Sequence, residues 1–331
     1  MKIVVDTLGK LEIGSRQSFA NLTLFPLVGQ PDRRPEYATL EEAIGEGWFE
    51  VSEISGAGSV PQLKAVNRGD RAVFLMDGEE LVGTKQNRVL NLTILVPAGK
   101  TVVIPVTCVE QGRWSSRSPA MAASPDALYS VARMSKMVSV SRSYSLRQEP
   151  ASDQSALWSE LADKAMDLGV SSPTGAMSDL FSEHSHRVGD YEKAFSAAEN
   201  QSGAVFAIGG RLVGIELFEH PDMLRRMLRK VVRSYALDAI QEEDGSSAPS
   251  EKQAAQFLTE LAEGRAESFP AVGLGQDVRI TGSRVAAAAL VVNDRVVHLC
   301  GFRTDQASGQ DPDSRWGWIA RASQRRRGRS S

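Results

Sequence analysis

The chain has 331 residues, 42% of them hydrophobic and 24% charged, and its net charge is -3. This is an ordinary globular composition with room for one large domain or two ordinary ones. It excludes a nucleic-acid footprint spread over the whole chain, a membrane span of ~20 apolar residues and a disulfide framework.

The N-terminus, MKIVVDTLGKLEIG, has no apolar core of signal-peptide length. Cys108 and Cys300 form no CxxC pair and lie inside apolar runs. A reduced, cytoplasmic protein is the default that follows. Ile3–Val5 and residues 22–28 (LTLFPLV) predict short strands. Leu40–Ile44 predicts a short helix with Thr39 as its cap and Glu41 and Glu42 in its first turn. Strands follow at Leu63–Val66, Ala72–Met76, Val89–Val96 and Thr101–Val109, separated by Asp77-Gly78 and Pro97–Lys100 turns. Such a succession predicts a sandwich or a barrel-like sheet.

Residues 115–152 are rich in Ser, Arg, Ala and Pro. They read as loops or an ordered lid, with a short helix at Pro125–Met134. Leu157, Trp158, Leu161, Ala165 and Leu168 recur at helical spacing behind Asp153, and Gly169 ends that helix. A second helical stretch spans 176–198, with Gly189 as a candidate break. Ala204–Ile208 and Arg211–Phe218 flank Gly209-Gly210 as a hairpin. Pro221 opens a long helix with a buried stripe from Met223 to Tyr235 and an opposite face of arginines. A linker (residues 242–250), a helix (251–264) and a three-strand meander (278–303) complete the pattern.

The expected fold is therefore α+β: a β-rich N-terminal part, sandwich- or barrel-like, then antiparallel hairpins packed with long helices. The expected organisation is a β-rich domain over 1–115, a Ser/Arg-rich loop or lid over 116–152, an α+β domain over 153–303 and a polar, basic disordered tail over 304–331.

Polar groups concentrate in Phe74–Trp114. Glu79, Glu80 and Glu110 are carboxylates suited to acid–base work. Lys85, Arg88 and Arg113 can hold phosphate, Gln86 and Asn87 can read a base or sugar by hydrogen bonds, and Trp114 offers a stacking face. The competing reading is a solvated loop with surface ion pairs, worth little energetically. Gly112 permits close backbone approach. No Walker A, GxGxxG, GxSxG or HExxH pattern is present. No cofactor is identified. His184-x-His186 reads as surface helix and the β-rich part has no histidine, so no His-based metal centre is expected. A Mg²⁺ site on carboxylates such as Asp77, Glu79 or Glu80 stays open. Cys108 reads as a small core residue.

DGEELVGTKQNRVLNLTILVPAGKTVVIPVTCVEQGRW resembles the signature block of the ARPP family, the ARG and Rhodanese-Phosphatase-superfamily-associated Proteins, where ARG denotes ADP-ribosylglycohydrolase. GAVFAIGGRLVGIELFEHPDMLRRMLRKVVRSYALDA resembles its second block. The resemblance covers roughly residues 15–300. It implies a stand-alone prokaryotic domain associated with ADP-ribose or nucleotide-derivative processing, with Glu79, Glu80, Lys85–Arg88, Glu110 and Gly112–Trp114 at the matching positions.

Two functions follow as expectations. One is a soluble protein binding an ADP-ribose-like nucleotide derivative, with acid–base processing by Glu79, Glu80 or Glu110. The other is a non-catalytic assembly or interaction protein, a homo-oligomer using these groups in its interface. The partners expected are a small nucleotide-like ligand and a second copy of the chain. No membrane is expected, and nucleic acid only through weak contacts of the basic tail.

Overall fold

The structure, a computed structural model, describes residues 1–29, 34–55, 58–242 and 247–304. The basic tail expected beyond Thr304 and residues 243–246 of the expected linker lie outside the described residues.

The chain opens with α1 (Lys2–Leu8), where the β-branched run Ile3–Val5 predicts a strand. Tertiary packing overrides that propensity: Val4 and Leu8, one helical turn apart, are buried in a cluster with Phe257 and Leu258. Strands β1 (Glu12–Ile13), β2 (Gln17–Phe19), β3 (Leu22–Val28) and β4 (Tyr37–Thr39) follow. Helix α2 (Leu40–Gly45) starts at the predicted cap. The Thr39 hydroxyl accepts from the Glu42 N–H, and the Glu42 carboxylate accepts from the Thr39 N–H.

Strands β5 (Phe49–Ser52), β6 (Gln62–Asn67), β7 (Ala72–Leu75), β8 (Glu79–Gly83), β9 (Arg88–Leu90), β10 (Ile94–Val96), β11 (Thr101–Cys108) and β12 (Met121–Ala127) build the β-rich part. The run Val89–Val96, one strand by its sequence, is two. β9 pairs with β8 and β11, whereas β10 pairs with β7 in a different sheet. The chain turns this corner at Asn91–Thr93, and the β-rich part curls into a half-barrel.

Helix α3 (Ser130–Arg147) occupies much of what reads as a loop. Pro125 is not its start but sits in β12, where the register shifts and no ladder N–H is needed. The rest comprises α4 (Gln154–Leu168), α5 (Met177–Glu183), α6 (Ser185–Ala194), the hairpin β13 (Gln201–Ile208) and β14 (Arg211–Phe218), α7 (Pro221–Ala239), α8 (Glu251–Ala262), β15 (Arg265–Pro270), β16 (Gln276–Thr281), β17 (Val285–Val292) and β18 (Arg295–Arg303). The break in the 176–198 stretch falls at His184, not at Gly189.

A nine-stranded antiparallel sheet runs β1-β3-β13-β14-β18-β17-β16-β15, with β2 on β3. A six-stranded sheet runs β12-β8-β9-β11-β6-β5, and a three-stranded one β10-β7-β4. β3 hydrogen-bonds along its length to β13, so residues from the first thirty are built into the sheet of the C-terminal half. The apolar run of β3 is buried on both faces. Leu22 and Leu24 join the core beneath α7, while Phe25 and Leu27 join the core beneath α1 and α8. The fold is α+β.

Between the nine-stranded sheet and the half-barrel lies a buried chain of charges. α3 turns Arg133 and Lys136 inward. The Lys136 ammonium donates to Asp77 Oδ2 at 2.7 Å and to the Asn91 carbonyl at 3.1 Å. Arg133 pairs with Glu216 of β14, and its Nε lies 3.6 Å from Asp77 Oδ1. His298 Nε2 of β18 is 3.2 Å from Glu216, and its Nδ1 is 2.8 Å from the Thr93 hydroxyl. Asp77, Arg133, Glu216 and His298 are at most 1% exposed. Burial would raise the Glu216 pKa, but Arg133 and His298 outweigh it and hold the carboxyl below its usual range. Burial pushes the Lys136 ammonium down despite Asp77.

Replacing one member of a buried pair strands the other. Lys136→Met should therefore lower the unfolding free energy by about 3–5 kcal/mol. Urea unfolding followed by far-UV circular dichroism checks it, and an unchanged midpoint would show that Asp77 is solvated or otherwise neutralised in the variant.

Candidate functional site

The loop between β8 and β9, Thr84–Asn87, meets the chain leaving β11, Glu110–Arg113. Their junction is a clip. Arg113 Nε donates to Glu110 Oε1 at 2.8 Å and Nη2 to Oε2 at 2.6 Å, a bidentate pair. The remaining N–H groups go to the Thr84 and Ser115 carbonyls, the Gly83 carbonyl and Asn87 Oδ1. Glu110 also accepts from the Asn87 N–H and the Thr174 hydroxyl, and Gln86 Nε2 donates to the Glu110 carbonyl. Burial would raise the Glu110 pKa. Arg113, Asn87 and Thr174 outweigh it and hold the carboxyl below its usual range. Gly112 makes a close approach, but to the backbone of Thr174, which accepts its N–H at 2.7 Å.

The clip bends the loop. Thr84 has φ +38°, a rare conformation for a β-branched residue that costs about 1–3 kcal/mol. Arg113 and the Arg117 N–H hold its carbonyl, Ser118 accepts from its N–H, and its hydroxyl donates to Glu53 Oε1 at 2.9 Å.

On one face of β9 sits Arg88, opposite Leu81 and Cys108 in the ladders. Its guanidinium is fully buried, yet Nε and Nη2 have no hydrogen-bond acceptor among the described residues. The Trp114 ring centroid lies 5.8 Å from its Cζ and 5.2 Å from the Lys85 ammonium. Trp114 is 48% exposed. Burial lowers the Arg88 pKa, offset in part by Cys108, Glu53 and Glu110. Cys108 itself is buried, and burial pushes its thiol up.

Glu80 leaves β8 on the other face, opposite Val89. It accepts from the Ser124 hydroxyl at 2.8 Å, and its Oε1 is buried without a partner among the described residues. Burial pushes its pKa up to about 8, with Asp126 and Glu110 adding to the effect. Glu79 is turned toward α7: it pairs with Lys230 and accepts from the Met76 N–H at 3.0 Å. Of the predicted residues, Gln86, Asn87, Glu110 and Arg113 form one network. Lys85, Arg88 and Trp114 form a second cluster beside it, Glu80 borders the network closely enough for Glu110 and Asn87 to act on its carboxyl, and Glu79 stands apart.

The arginine face of α7 is largely paired. Arg226 reaches Glu42, Arg229 reaches Glu192, and Arg233 reaches Asp126 and Glu192. His186 is exposed and lies 3.3 Å from Asp190. Among the described residues, no three His, Cys, Asp or Glu side chains are grouped as a metal ion would need, and no helix is long and apolar enough to cross a membrane.

Glu53 in the sequence is only the end of an acidic run, and Thr84 carries no signal at all. Glu216 and His298 do carry one: each is a lone polar residue in an apolar strand, GIELF and VVHLC.

An α+β chain whose half-barrel carries a clipped polar loop defines the class of protein to seek. The ARPP-1 family model, the ARG and Rhodanese-Phosphatase-superfamily-associated Protein domain, matches residues 10–302, and the chain belongs to this family. No curated protein and no solved structure matches it.

A carboxyl with a raised folded-state pKa binds its proton more tightly than in the unfolded chain. Its stabilising proton is in place below the unfolded pKa of 4.5 and is lost as pH rises toward about 8. Glu80→Gln removes that titration. Across pH 5 to 8 its stability should gain on the natural chain by about 1.4 kcal/mol per pH unit. Parallel unfolding curves over this range check it; a constant difference would mean that Glu80 titrates normally.

Proposed function

We propose that this protein binds a small anionic ligand with an aromatic ring, of the nucleotide-derivative class that ADP-ribose represents. The observation that carries this is Arg88, a buried guanidinium with two unaccepted N–H groups beside the half-exposed ring of Trp114. A buried cation without a bound anion is costly, and phosphate is an anion that a guanidinium fork fits. Trp114 supplies a face on which a base stacks once the ring swings off Arg88. Lys85, on the same ring, adds a second positive charge. The family's association with ADP-ribosylglycohydrolase-type proteins, which its name prints as ARG, points to the same ligand class.

Arg113 has a different part. Its donors are committed to Glu110, Asn87 and backbone carbonyls, so it positions the loop and leaves the anion to Arg88. Glu79 and Glu110 are held in ion pairs, and Glu80 lies on the face opposite Arg88. The geometry therefore favours binding over acid–base turnover by these three carboxylates.

Calorimetry of the full chain with ADP-ribose, NAD and ADP tests this. At least one should bind, and Arg88→Met should weaken it tenfold or more while Trp114→Ala weakens it less. Absence of binding across the panel overturns the ligand class.

A further inference from the structure

We infer that Glu53 is a recognition residue of this site, accepting a hydrogen bond from a hydroxyl or amino group of the ligand. The bound molecule then presents a donor as well as an anion. This rests on the anion-binding function proposed above and narrows its ligand.

Glu53 follows β5 and reaches across to the strained turn at Thr84, whose hydroxyl occupies Oε1. The second oxygen, Oε2, is buried and has no donor among the described residues. One point in space shows what it shares. A Cβ built on Gly58 would lie 3.3 Å from Glu53 Oε2, 3.3 Å from Trp114 Cζ2 and 3.1 Å from Lys85 Cδ. Glu53 Oε2, Trp114 and Lys85 thus come together around Gly58, and Trp114 in turn lies against Arg88.

An orphaned acceptor and orphaned donors here do not pair with each other, although Glu53 and Arg88 attract. Direct pairing would satisfy both at once. The Glu53 carboxylate is instead engaged by the hydroxyl of Thr84, which the clip holds in a rare backbone conformation. A purely anionic guest would satisfy Arg88 and be repelled by Glu53. A sugar phosphate satisfies both, with phosphate on Arg88 and a hydroxyl on Glu53. Leaving a buried acceptor unpaired is penalised more than making the bond is rewarded, so Glu53 should select against guests without a donor.

The test compares two probes by calorimetry on the full chain: ADP-ribose, which has both groups, and inorganic pyrophosphate, an anion with no sugar hydroxyl. Glu53→Gln should weaken ADP-ribose tenfold or more and leave pyrophosphate unchanged or tighter, whereas Arg88→Met should weaken both. Equal weakening of both probes by Glu53→Gln would mark a structural role and overturn the assignment. ADP-ribose binding that Glu53→Gln does not alter overturns it too, with the anion site intact. Failure of the natural chain to bind either probe overturns the anion site along with it. Should the Gln variant not fold, Glu53→Asp keeps the charge and withdraws the carboxylate by one methylene. A loss confined to ADP-ribose then supports the assignment, and no loss or an equal loss overturns it.

Discussion

The chain of buried charges from Lys136 to His298 is the constraint on which the rest of the molecule depends. It joins four elements that are far apart in sequence: the Asp77 turn of the half-barrel, helix α3, and strands β14 and β18 of the large sheet. Apolar packing alone would let α3 slide or rotate between the two β systems. Charges in a low-dielectric interior do not allow that, because a small displacement leaves a carboxylate or an ammonium unpaired at a cost of several kcal/mol. α3 is thereby fixed in rotation and register, and with it the position of the half-barrel against the sheet.

The Glu110–Arg113 clip does the same on a smaller scale. Once Arg113 has gathered three backbone carbonyls and Asn87, the β8–β9 loop has one conformation, and Thr84 is forced into it. Two functions of arginine are separated here by a few residues of chain. Arg113 is satisfied and shapes the backbone; Arg88 is buried with donors to spare. The contrast between them is what the proposed anion site rests on.

What could be seen in the sequence was what local rules decide. The Thr39 cap, the Gly209-Gly210 hairpin and Pro221 at the head of α7 depend on neighbours within a few residues, and they stand where expected. α3 is different. Val131, Met134 and Met137 mark its buried stripe, but serines and arginines surround them, and Asp238 of α7 accepts the Val131 N–H from 107 positions away. No local pattern encodes that cap. The corner at Asn91–Thr93 is hidden likewise, since only the sheet partners divide the run. Within the site, strand adjacency made the meeting of Gln86, Asn87, Glu110 and Arg113 legible. The division of labour between Arg88 and Arg113 was not, because it turns on which backbone carbonyls come within reach.

The pairing of β3 with β13 has a consequence for how the protein is made. Phe25 sits opposite Val205, so β3 leaves the ribosome with only the short β1 and β2 beside it, long before β13 exists. At roughly 5–20 residues per second, that interval is on the order of ten seconds or more. Throughout it, Leu22, Leu24, Phe25 and Leu27 have only β1 and β2 to pair beside. The half-barrel can close during translation, whereas the large sheet waits for the C-terminal half. Until β13 emerges, the apolar side chains of β3 are therefore without the partner strand that buries them in the finished sheet.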